Sequence, residues 1–123
     1  MKQGEALRAL YAKIETQEVA CAFWCAVLEM PRIPDIAIEA ETHGYMSSLR
    51  IKRGGDWCFS LAPAREWLLF YVRRPELKRS KLDYARVKSV LSQSEERGDG
   101  EITARVSSEH EILKICDLIR DTI

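Results

Sequence analysis

The sequence is poor in the residues that usually mark a catalytic or metal site. It has two histidines, His43 and His110, neither with a cysteine or another histidine nearby. The four cysteines, Cys21, Cys25, Cys58 and Cys116, form no CxxC pair. A zinc centre built from four paired ligands is therefore not expected, and the cysteines read as small buried hydrophobes. GxSxG, GxxxxGK[ST] and HExxH are all missing, which removes the common hydrolase, nucleotide-cleaving and metalloprotease signatures. No cofactor is expected. The longest apolar run, VACAFWCAVL from Val19 to Leu28, has ten residues, half of the roughly 20 a membrane helix needs. MKQGEALRAL carries Glu5 and Arg8 ahead of any long apolar stretch, unlike a secretory leader. A soluble, cytoplasmic chain without a membrane partner is the expectation.

What is present is an ordinary globular balance over 123 residues, 46% apolar and 31% charged, which fits a single domain, 1–123. Leu7, Leu10, Tyr11 and Ile14 recur at helical spacing, and the stripe runs on through Cys21, Trp24, Cys25 and Leu28. Residues 4–29 thus form one long helix or two helices broken near Thr16. Beyond Val19 the pattern is apolar on more than one side, as in a helix covered by a sheet or by a second subunit. Pro31 and Pro34 end it.

Four strand patterns follow. Ile36, Ile38 and Ala40 alternate with Ala37, Glu39 and Glu41. Tyr45, Ser47, Leu49 and Ile51 share a face opposite Arg50 and Lys52. Gly54-Gly55 marks a hairpin turn. Trp57, Phe59 and Leu61 are expected on one side of the third strand. In the fourth, Trp67, Leu69 and Tyr71 alternate with Leu68, Phe70 and Val72, the pattern of a strand buried on both faces. Ser80 and Asp83 resemble a helix capping box, SEERGDGE a polar loop, EITARV a short strand, and Ser108 with Glu111 a second capping box before a last helix. The fold class is α+β: an N-terminal helix or helical pair, a four-stranded antiparallel meander, then α-β-α, with helices layered on the sheet.

Charge carries the functional expectation. The chain has 19 basic and 19 acidic residues, but residues 50–88 hold 11 and 4, leaving 8 and 15 elsewhere. Local fields, not totals, steer partners. Arg50, Lys52, Arg73, Arg74, Lys78, Arg79 and Lys81 are the candidate partner-binding residues. With them the chain reads as a non-enzymatic binding or adaptor protein that engages an anionic partner, either a nucleic-acid backbone or an acidic protein surface. No helix-turn-helix, zinc finger or RNA-binding signature accompanies them, so backbone contact is expected rather than base readout. A solvated face, or a match between the basic and acidic halves, is the plainer alternative. The aromatic strands read mainly as core; Trp57 and Tyr45 are better placed than Trp67 to act as exposed ring platforms. A homodimer through the N-terminal helix is a further expectation.

Two alternatives stand beside this one. A small hydrolytic enzyme would use Glu39, Glu41, His43 or Cys58 in the meander. Pro34-Asp35 could open a metal-dependent nuclease motif, but Arg50 stands where its next acid should be. An inhibitor working by charge mimicry would present Glu95, Glu96, Asp99 and Glu101, or Glu39 and Glu41.

Overall fold

A computed structural model describes residues 2–42, 47–79 and 82–122. The N-terminal stripe is two helices, α1 (Lys2–Tyr11) and α2 (Gln17–Glu29). They separate where Thr16 takes an extended conformation and its side chain accepts a hydrogen bond from the Val19 amide, the usual start of a new helix. A 3-10 turn over Met30–Arg32 follows. The strands are β1 (Ile36–Glu41), β2 (Ser48–Arg53), β3 (Asp56–Pro63) and β4 (Leu68–Val72). Then come α3 (Arg74–Arg79), α4 (Tyr84–Val90), β5 (Ser94–Glu96), β6 (Ile102–Val106) and α5 (Glu109–Asp121). All six strands join one antiparallel sheet in the order β1-β2-β3-β4-β6-β5. The class is α+β with helices packed on the sheet, as the pattern predicts.

One face of the sheet carries the core. Leu49, Ile51, Phe59, Leu61, Leu68, Phe70, Val72, Ile102, Ala104 and Val106 are buried together with Leu10, Phe23, Ala26, Ile112, Ile115 and Ile119 from the helices. Phe59 and Phe70 stack with ring centroids 5.8 Å apart. At about 25 cal/mol per Å² of apolar surface, this one-sided burial is the main stabilising contribution. Among the described residues of β3 and β4, the other face is only partly covered: Trp57, Ala62, Leu69 and Tyr71 are half-buried. β4 is therefore covered on one side, not two. Its second apolar row consists of side chains broad enough to shield one another without a helix above them.

Several local features depart from the simple pattern. Gly54 and Gly55 both have positive φ, 58° and 90°, as a tight two-residue hairpin requires. Just beyond, the β2–β3 register shifts: Ile51 faces Phe59, but Lys52 faces Trp57. Cys58 is the extra residue of a bulge. The bulge turns Trp57 away from Phe59 and Leu61 and onto the open face, where its Nε1 donates to Ser60 Oγ at 2.7 Å. Asp83 is itself the cap of α4, accepting from the Arg86 amide; Ser80 lies outside the described residues. The segment after Arg73 forms the short helix α3, and part of the polar SEERGDGE loop is the edge strand β5. The opposite edge, β1, is blocked. The Gln3 amide donates to Ala40 O at 3.1 Å and accepts from Ala40 N at 2.9 Å, so those ladder groups cannot pair with another strand.

The outer sides of the N-terminal helices stay open. Val19, Ala22, Phe23 and Ala26 are buried, but Trp24 is 39% and Leu28 67% exposed. No helix among the described residues is long and apolar enough to cross a membrane.

Candidate anion-binding face

The basic residues expected to form one docking surface are mostly engaged within the fold. Arg50 and Lys52, on the open face of β2, both reach Glu39 of β1, at 3.8 and 3.4 Å. Arg73 pairs with Glu101 at 3.8 Å, Arg74 with Asp99 at 3.8 Å, and Arg79 with Asp56 at 3.1 Å. The acidic tip of the β5–β6 hairpin thus lies against the start of α3. Basic and acidic segments, separate in sequence, meet in space. Lys78 is exposed on α3, and Lys81 lies outside the described residues. The more exposed of these pairs, Arg74–Asp99 and Arg79–Asp56, contribute only about 0–1 kcal/mol each, but all of them lower the net field of the cluster.

Arg53, counted in the basic segment, is not at the surface at all. Its Nε lies 3.6 Å from Glu76 Oε1, with both side chains nearly fully buried. The guanidinium also donates to Ile119 O at 3.2 Å and Thr122 O at 3.3 Å. A cation on the last carbonyls of α5 complements the negative end of that helix. The role is architectural: it ties α5 to the end of β2.

Trp57 is enclosed by arginines. Arg73 lies 3.7 Å and Arg50 4.1 Å from its ring centre, and Arg73 Nη1 also donates to Trp57 O at 2.7 Å. These guanidinium–indole contacts stabilise the sheet, but they leave both the ring and the arginines occupied. Trp57 is thus a poorer ring platform than the sequence suggests; Tyr45 lies outside the described residues.

A different part of the same face remains unoccupied. Nine of the twelve arginines make an ion pair among the described residues; Arg8, Arg97 and Arg105 do not. Two of those three, Arg97 and Arg105, line one hollow of about 430 Å³ with Trp67, Leu69, Gln93, Ser94, Glu95 and Thr103. The strand register explains the convergence: Leu69 faces Arg105 across β4–β6, and Glu95 faces Thr103 across β5–β6. Arg105 lies over the Trp67 ring at 4.2 Å. Arg97 Nε donates to Thr103 Oγ1 at 3.2 Å, which holds its stem and leaves its terminal nitrogens directed elsewhere. Sequence reasoning missed both arginines because they sit in the acidic third of the chain. The usable signal was Arg105, one strand position out of phase with inward-facing Ala104 and Val106.

Of the residues of the alternative readings, Glu39 and Glu41 lie on β1 and Cys58 on β3, with β2 between them. Cys58 is buried at the bulge, and burial pushes its thiol up despite a hydrogen bond from Arg79; an activated thiolate requires the opposite shift. His43 lies outside the described residues. Glu39 is committed to Arg50 and Lys52. Among the described residues, no group of three or more His, Cys, Asp or Glu is placed to hold a metal ion. Glu101 and Asp99 are paired with Arg73 and Arg74, whereas Glu95 and Glu96 are exposed. No protein-family model, curated protein or solved structure matches the chain.

Proposed function

We propose that the protein is a non-enzymatic binding module that engages an anionic partner through the open face of its sheet, at the β4–β6–β5 end. One observation carries this reading: two of the three arginines without a carboxylate partner among the described residues converge on a single hollow beside an aromatic ring. Planar guanidinium groups with unused donors suit phosphate or carboxylate acceptors. The Arg73–Arg79 cluster is a flank of this surface, since its field is reduced by Asp56, Asp99 and Glu101.

The test is retention on immobilised heparin, a polyanion without bases. The wild-type protein is expected to be retained at low salt and released as salt rises. Arg97→Glu with Arg105→Glu should remove most of that retention, and Arg74→Glu with Lys78→Glu should remove less. Equal loss from both pairs, or no retention by the wild type, contradicts the assignment.

Self-association through the N-terminal helices is a second, separate reading. It is supported by the exposed apolar side chains Tyr11, Trp24 and Leu28, with Leu113 on α5, the helix packed against α2. Solution mass measured across a range of protein concentrations tests it: a mass that stays at one chain throughout contradicts a dimer.

A further inference from the structure

We propose that the hollow beside Trp67 seats one nucleotide of a single-stranded nucleic acid, with the base stacked on the Arg105–Trp67 pair and a flanking phosphate held by Arg97. This rests on the reading of the open face as an anion-binding surface and names its partner.

Size, shape and chemistry converge on that ligand. About 430 Å³ lies within the range of roughly 300–1,000 Å³ typical of small-ligand sites. A purely anionic partner, such as a sulfated sugar or an acidic peptide, needs cations but no ring. Here a guanidinium plane already lies on an indole at 4.2 Å, and bases stack on arginine planes as well as on aromatic rings. The Arg105 side chain makes no ion pair or hydrogen bond among the described residues; its contact is the stack on Trp67. It therefore presents its outer plane and its N–H edge together. Arg97 is tethered through Nε, leaving the fork that suits a phosphate.

The remaining lining fits a base edge. Gln93 supplies an amide that can donate and accept. Glu95 is the one carboxylate of the lining; as an acceptor it favours bases with an exocyclic amine over thymine or uracil. It also repels a bare phosphate from that side, which orients the nucleotide with its phosphate toward Arg97. A smaller hollow of about 230 Å³ shares Trp67, Gln93 and Arg105, so the stack borders two spaces and a strand can continue past it. Duplex DNA, whose bases are stacked on each other, offers no free face to such a column.

The experiment compares three probes on the intact chain: a short oligodeoxycytidylate, an abasic phosphodiester of the same length, and heparin. Binding is read by fluorescence anisotropy at fixed salt, using labelled probes. The base-containing strand is expected to bind ~10-fold or more tightly than the abasic one, given about 1–3 kcal/mol per stacked base. Arg105→Lys keeps the charge but loses the plane, so it should abolish this difference while the abasic strand and heparin still bind. Trp67→Ala should do the same, with circular dichroism confirming that the fold persists. If abasic and base-containing strands bind equally, the nucleotide seat is wrong and the anion-binding face stands. If no probe binds, both fall. A base-dependent difference that survives Arg105→Lys overturns the seat at this position.

Discussion

Trp57 and Trp67 lie on the same open face of one sheet, and each has arginine over its ring. They differ in what the arginines do next. At Trp57, Arg50 and Arg73 also reach Glu39 and Glu101, and the indole N–H is bonded within β3. At Trp67, Arg105 has the ring alone. The first arrangement satisfies itself and serves the fold; the second leaves side-chain donors and a planar surface without a partner among the described residues. A guanidinium beside an aromatic ring is therefore not by itself a binding signal. The informative feature is the missing carboxylate.

That contrast can be broken or sharpened by experiment, beginning where the effect should be largest. Glu76→Ala removes the partner of buried Arg53 and is expected to cost about 3–5 kcal/mol in urea unfolding, because a buried charge is left uncompensated. Next, Trp57→Ala should cost about 2–3 kcal/mol through lost packing and lost arginine contacts, and Trp67→Ala only about 1 kcal/mol. Similar costs at the two rings would erase the distinction between a structural and a free site.

The covered side of the sheet should respond to alkali. Burial pushes the Cys116 thiol up to about 11 from 9.0. The folded state thus keeps its proton where the unfolded chain has lost it. Its contribution is fully present below pH 9 and is lost as pH rises through 9 toward 11. The wild type should lose stability across that window, and Cys116→Ala should show a shallower loss. The smallest effect is expected at the free site: Arg97→Ala and Arg105→Ala should each change stability by no more than about 0.5 kcal/mol. A larger cost would make these arginines part of the scaffold.

Much of the architecture was legible in the sequence. The Gly54-Gly55 hairpin, the four-strand meander and the Ser108 cap all follow from local chemistry, while the break at Thr16 was one of two alternatives the apolar stripe left open. The misreadings have definite physical causes. Alternation cannot reveal a bulge, so Trp57 was placed with Phe59 on the wrong face. A strand apolar on both sides, such as 67–72, does not say whether a helix covers its second face or whether Leu69, Tyr71 and the flanking rings shelter one another. β5 has three residues, too few for a period. Ion pairing is long-range: Arg74 meets Asp99 only because β6 returns beside β4. Counting charge along the chain therefore found a basic segment that the fold largely neutralises, and overlooked two arginines in an acidic one.

The most direct measurement is the salt dependence of binding to a single-stranded oligonucleotide. Each phosphate contact contributes about −0.7 to the slope of log K against log salt for single strands. Replacing Arg97 and Arg105 together by alanine should flatten that slope by about 0.7, the one phosphate contact assigned to Arg97, and replacing Arg74 and Lys78 together should alter it much less. A slope unchanged by losing Arg97 and Arg105, but flattened by losing Arg74 and Lys78, would place the partner on the α3 cluster instead and contradict the account.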